Sequence, residues 1–464
     1  MRINLDKNNN RIIWCFLISA TALLFIFAFI LLSGCDNGKN VNILNFGAEA
    51  GSSTYDNSGA IQKAIDEVSE SGGGRVTIPA GDFYTHPIML KSGVDLHLEN
   101  GAKLIGVDDI NAYKKYTYKK NQSIVFADGQ ENISVTGPGT IDGQGAAPTF
   151  QVEGDPAGRP MIILCHDCKH VSVKDVTLQN SAHWVQYYRA CDGVEIRGIK
   201  VYSHSNLNND GIDIGSKNVI VSDCFFDSDD DAICFKGDEL CENITVNNCV
   251  AASNCNGIKF GTASSVGFRN VKVSNIKLHH ASEDNFRKWS TKYPGITAPV
   301  TIISGIAIEV VDGGFAENIN VNNIEMTDVQ TPIFIRQGRR YKDSESPNTY
   351  LKDINISNVT ATSESMMTSS ITGVPGLYPE NITLSNIDIT SPGGGTADMA
   401  NISVPEAEKE YPENRKLGTT MPASGFYLRH AKNVTFSNVR FHFRVDDARP
   451  LYIKDDCTNI IETP

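Results

Sequence analysis

The sequence predicts an all-β chain wound as a single right-handed parallel β-helix, with a short helix capping its N-terminal end. Three observations predict it. First, a six-residue template recurs, as in QENISV at 130–135, CENITV at 241–246, FRNVKV at 268–273 and AENINV at 316–321. Its third position falls at 132, 170, 193, 218, 243, 270, 318, 353, 381, 433 and 459. Second, the core spacings are 23, 25, 25 and 27 residues, too short for a propeller blade or a helical-pair repeat. Third, apolar residues alternate within each repeat, so each is a strand with one buried face. Stacked about 4.8 Å apart, such coils form a rod.

The elements follow in order. Arg2, Lys7 and Arg11 precede an apolar run from Ile12 to Leu32, and Leu32-Ser33-Gly34-Cys35 follows. A basic start, an apolar run and small residues read as an export signal. The tetrapeptide resembles the bacterial lipobox, which implies cleavage after residue 34 and a lipid on Cys35. An uncleaved anchor is the alternative, because the run is long enough to span a bilayer. Residues 35–40 form a polar tether, and 41–464 the β-helix domain. Ala60, Ile61, Ala64, Ile65 and Val68 lie on one helical stripe, which predicts the capping helix over Asn57–Ser69. Gly72-Gly73-Gly74 then reads as a turn, since no Gly-Lys-Ser/Thr follows it.

Cysteines follow the repeat. Cys224 and Cys249 take positions that other coils fill with Val or Ile, so they are expected to be stacked core thiols. Cys168 and Cys191 share a turn column, where an exported protein could form a disulfide. Cys165-x-x-Cys168 has no second pair at zinc-site spacing, so no metal is expected. The Asn-x-Ser/Thr tripeptides at Asn132, Asn243, Asn381 and Asn433 sit on the template and reflect its composition rather than glycosylation. The net charge of −13 argues against nucleic-acid binding.

Candidate chemistry emerges when the second strand of successive coils is aligned. Ile212, Ile233, Ile258, Ile306 and Ile333 form one buried column, and the residues between them face a groove. Asp210 then lies directly beneath Asp231, with Asp230 beside it. Three crowded carboxylates repel, which raises at least one pKa and leaves others ionised. Glycoside hydrolysis requires that combination of proton donor and ionised base. A solvated acidic turn or a calcium site is the plainer alternative.

Asn209-Asp210-Gly211-Ile212-Asp213, followed by Asp230-Asp231-Ala232-Ile233, resembles glycoside hydrolase family 28, the polygalacturonases and rhamnogalacturonases. Asn45-Phe46-Gly47-Ala48 and Gly73-Gly74-Arg75-Val76-Thr77-Ile78-Pro79 resemble the entry segment of pectin-degrading β-helices. The resemblance covers residues 41–464. It implies an inverting hydrolase with no cofactor, in which Asp230 is the general acid and Asp210 and Asp231 handle the attacking water. It also implies a plant cell-wall substrate, here for an exported, lipid-anchored monomer.

The chain departs from that family in two places. The family's His-Gly after the aspartate pair is Asn256-Gly257, and its Arg-Ile-Lys uronate clamp is Ala307-Ile308-Glu309. A uronate facing Glu309 would be repelled. Asp213, Asn256, Lys259, Glu309 and Arg336 are therefore the candidate substrate-binding residues. Lys259 could replace the lost clamp, and Arg336 is expected to pair with Glu309. Restoring the clamp with Ala307→Arg plus Glu309→Lys is expected to improve galacturonate binding. Two insertions should wall the groove. Residues 277–300 carry His279, His280, Trp289 and Tyr293, while 392–423, with Glu406, Glu408, Glu410 and Glu413, reads as a solvated, mobile loop. The rivals are a calcium-dependent pectate-lyase-type enzyme and a non-catalytic glycan-binding protein.

Overall fold

The computed structural model of the protein describes residues 38–151, 158–284, 302–341 and 348–464. The leader, Cys35, Trp289 and Tyr293 lie outside the described residues. The described strands join one continuous sheet wound into stacked coils, and every strand pairing between coils is parallel. Among the described residues, the one antiparallel strand pair is a local hairpin, Thr117–Tyr118 against Asn121–Gln122.

The template's third residue has a single conformational job. All eleven positions have positive φ, from 52° at Asn433 to 57° at Asn270 and Asp353 among the Asn and Asp residues, with Gly193 at 78°. This is the left-handed region, which Asn, Asp and Gly tolerate best. The template is therefore a corner followed by a strand. Asparagines at that corner bond along the rod: Asn243 Nδ2 donates to Asn218 Oδ1 at 3.2 Å, and Asn318 Nδ2 donates to Asn270 Oδ1 at 2.7 Å. Of the Asn-x-Ser/Thr asparagines, Asn243, Asn381 and Asn433 belong to this ladder.

Helix α1 (Ser58–Glu70) buries Ala60, Ile61, Ala64, Ile65 and Val68 over the first coils. Gly73 is a genuine turn constraint: a Cβ there would meet the Gly93 carbonyl oxygen at 2.8 Å. Inside the rod, Ile212, Ile233, Ile258, Ile306 and Ile333 stack fully buried. Cys224 and Cys249 are buried beside one another as free thiols, and Cys168 and Cys191 are free as well.

Five coils position the site. Their strands are β1 (Gln186–Arg197), β2 (Ile212–Ser222), β3 (Ile233–Phe235), β4 (Asn256–Phe260) and β5 (Ile302–Val310). They continue into β6 (Phe315–Gln337), β7 (Ser369–Thr372) and β8 (Phe426–Arg429). The register stacks Tyr187, Asp213, Cys234, Lys259, Ala307 and Phe334 in one outward column. Two residues further along each strand, Glu309 precedes Arg336, Thr372 and Arg429 in a second.

Candidate active site

The carboxylates converge where β2, β3 and β4 begin. Gly211 N donates to Asp231 O at 2.8 Å, which locks Asp210 beside Asp231. Oxygens of Asp210 and Asp231 lie within 4.8 Å of each other, as do oxygens of Asp230 and Asp231. Asp210 and Asp231 are each 3% exposed and Asp230 is 5% exposed, so all three carboxylates are buried. Asp230 accepts the Asp231 backbone N–H at 3.0 Å and the Asn208 amide at 3.4 Å.

Two buried ammonium groups answer this charge. Lys236 lies 3.0 Å from both Asp210 Oδ2 and Asp213 Oδ1. Its Nζ sits 4.5 Å from the centroid of the Trp184 ring, a cation–π contact. Lys259 lies 3.1 Å from Asp231 Oδ2 and donates to Tyr411 Oη at 3.1 Å. Asn256 Nδ2 donates to Asp231 Oδ1 at 2.6 Å. An amide, where the resemblance led to a histidine, thus grips the Asp231 carboxylate.

These contacts push the acids apart. Burial drives Asp210 well above the usual carboxylate range, against the pull of Lys236. Burial also lifts Asp213 to about 6, again opposed by Lys236. Asp231 is equally buried, but Lys259, Lys236 and the Asn256 amide reverse that effect and hold it at about 2. Glu309, 1% exposed and within 3.3 Å of Thr262 Oγ1, is pushed by burial to about 8 in spite of Lys259. One carboxylate held ionised beside others biased toward protonation is an acid–base arrangement.

The remaining candidates fall differently. Asp213 is fully buried against the Lys236 ammonium rather than facing an open surface. Arg336 does not pair with Glu309. It donates to the carbonyls of Gly373 at 3.0 Å, Glu406 at 2.6 Å and Ala407 at 3.2 Å. The reason is the second insertion, which is docked rather than solvated. Arg429 holds the Val404 and Pro405 carbonyls, each at 2.7 Å. Asn414, fully buried, donates to Thr331 Oγ1 at 2.7 Å and to the Thr368 carbonyl at 3.2 Å. Leu417, Met421 and Val404 pack on Ala307, Phe334 and Tyr427 as a separate apolar cluster. Its glutamates are paired: Glu406 with Arg429 and His430, Glu408 with Arg339, Glu410 with Lys416 and Glu413 with Arg415.

The insertion therefore covers the column directly beyond Lys259 and brings the Tyr411 hydroxyl onto the Lys259 ammonium. Sequence reasoning missed Tyr411, Lys236 and Trp184. Lys236 immediately follows β3, two residues past Cys234 as Glu309 is two past Ala307, and that offset could have found it. Tyr411 carried no signal, because it sits in an acidic segment with no repeat.

A calcium ion would suit this cluster poorly. The two groupings of potential ligands are Asp210, Asp231 and Cys234, and Asp230, Asp231 and Cys255. Each includes a thiol, a poor partner for a hard cation, and each faces an ammonium already in place.

Among solved structures, the chain superposes on an exopolygalacturonase from Thermotoga maritima with TM-score 0.63 and 24% identity, over 76% of this chain and 87% of that one. It superposes on a family 28 exopolygalacturonase from Yersinia enterocolitica with TM-score 0.67 and 18% identity, over 91% and 78%. Exopolygalacturonase X-1 of Emericella nidulans is 25% identical over 301 residues, 60% of this chain and 67% of its own length. The sequence profile of the glycosyl hydrolases family 28 matches residues 69–409, which contain the whole carboxylate cluster. The β-helix, the three crowded aspartates and that match together make the chain a glycoside hydrolase belonging to family 28.

Proposed function

We propose that the protein removes the terminal sugar from a pectic oligosaccharide, acting from the chain end, with a neutral sugar at the reacting subsite. One observation carries this reading: residues 394–423 occupy the groove beyond Lys259, burying Ala307 and Phe334 completely or nearly so. A polymer cannot run through a groove filled on one side, whereas a chain end can enter a pocket. The relatives named exopolygalacturonases support the end-acting part.

The neutral subsite follows from how the cations are used. Lys236, Lys259 and Arg336 face the groove, and each is committed to aspartates or to carbonyls of the insertion. A uronate would have to displace one of them. In the proposed chemistry Asp230 gives its proton to the departing glycosidic oxygen. Water adds its oxygen to the anomeric carbon and yields a proton to the Asp210–Asp231 pair. Within that pair Asp231 is the member held ionised, so it is the one able to accept that proton.

We propose inversion. The closest oxygens of Asp230 and Asp231 lie within 4.8 Å, nearer the roughly 5 Å of retaining pairs than the ~6.5–9.5 Å of inverting ones. A third carboxylate is available here to share the water, so that spacing alone does not set the outcome. Proton NMR of the first anomer released decides it. The broader test incubates the protein with defined galacturonan and rhamnogalacturonan oligosaccharides, with and without a chelator. Monosaccharide should appear from the earliest times, unaffected by the chelator. Random fragments, unsaturated ultraviolet-absorbing ends, or binding without new reducing ends would each overturn the reading. The export signal leads us to propose a lipid-anchored, exported location.

A further inference from the structure

The insertion does more than close the groove. Its backbone is pinned on both sides of Tyr411. Upstream, Arg336 holds the Glu406 and Ala407 carbonyls, and Arg339 N donates to Glu408 O at 3.0 Å. Downstream, Asn414 is buried among Thr331, Thr368 and Ser370. Between these anchors the Tyr411 hydroxyl reaches inward and accepts a hydrogen bond from Lys259, while the residue as a whole remains 42% exposed. The Lys259 ammonium also contacts Asp231. It is a flexible group with three donors, and nothing on β4 itself aims it.

We propose that Tyr411 is a positioning residue: its hydroxyl, delivered by the docked insertion, holds the Lys259 ammonium against Asp231, so docking of the insertion completes the catalytic carboxylate cluster. This rests on the reading of Asp231 as one of the water-handling carboxylates. The element that shapes the pocket then also sets the state of its chemistry.

The groups around Asp231 make the effect measurable. Lys259 and Lys236 favour its ionised form, and the Asn256 amide supports it. Asp210, Asp213 and Asp230 crowd it from the preceding coil and its own turn, with the thiols of Cys234 and Cys255 beside them. Glu309 faces it from two coils beyond. Loosening Lys259 removes the strongest pull toward ionisation and leaves these repulsions in place.

The test labels aspartate at the carboxyl carbon and follows Asp231 by NMR as pH is lowered, with Asp231→Asn identifying the signal. In the wild type Asp231 should stay ionised to about pH 2. In Tyr411→Phe, which keeps the ring, its midpoint should rise by about one unit or more. In Lys259→Met it should rise further. An unchanged midpoint in Tyr411→Phe overturns the proposal, whether or not Lys259→Met moves it. Turnover by Asp231→Asn is read separately: full activity there would sink the functional reading, while the titration would still report on Tyr411.

Discussion

Installing an arginine at position 307 should open the protein rather than sharpen it. Read from sequence, Ala307→Arg restores half of the family's uronate clamp and should draw in galacturonate. The structure reverses that expectation. Ala307 is fully buried between Lys259 and Phe334, under Leu417 and Met421. Forcing a long side chain into this packing costs about 1–3 kcal/mol. Burying its charge beside Lys259 with no carboxylate partner in the cluster adds several kcal/mol more. Undocking the insertion loses the burial of Leu417 and Met421, roughly 1.5–3 kcal/mol each. The costs of staying docked therefore narrow the gap between the docked and open states. A shift of about 3–4 kcal/mol would raise the open population by some two to three orders of magnitude. Limited proteolysis reads that population directly when opening is fast. Ala307→Arg should be cut within residues 394–423 far faster than the wild type, and oligogalacturonide turnover should not improve. An insertion as protected as in the wild type, together with a gain on galacturonate, would refute the packing argument.

Other outcomes follow from the same geometry. Asp230→Asn, Asp210→Asn and Asp231→Asn should each lower turnover by roughly 10²–10⁴-fold with unchanged circular dichroism, and near-normal rates in all three would remove the hydrolase mechanism. Glu309 has a folded pKa of about 8 against 4.5 for the free side chain, so the folded state keeps a proton that the unfolded chain releases. Its contribution to stability is thus present below about pH 4.5 and is lost as pH rises toward 8. Glu309→Gln should flatten that decline, and denaturation midpoints at pH 5 and pH 8 that fall equally in variant and wild type would contradict it. Cys35→Ser should release the protein from the membrane fraction or block its maturation, and an unchanged lipid-labelled band would reject the anchor.

What sequence could reveal divides along the repeat. The corners were legible because a left-handed turn selects Asn, Asp or Gly at a fixed interval, and Asn218, Asn243 and Asn270 could hardly serve another local purpose. The column Ile212, Ile233, Ile258 was legible because stacking rewards the same residue at the same place in each coil. The close approach of Asp210 to Asp231 followed from that register. Residues 394–423 obey no period, and their contacts join positions far apart in the chain, as Arg336 with Glu406 and Lys259 with Tyr411. Composition then misleads: four glutamates suggest solvation, yet Glu406 and Glu408 find basic partners on the rod when the segment docks, while Glu410 and Glu413 pair within the segment. The same gap explains the misreading of Arg336. Register correctly put it next to Glu309, but adjacency in a column does not decide where a long side chain donates. Its guanidinium turned to carbonyls that only the folded insertion supplies. The part of the site that departs most from the family, where Ala307 and Glu309 replace a cationic clamp, is the part this insertion covers. A small residue at 307 makes room for Leu417 and Met421, and an arginine there would not.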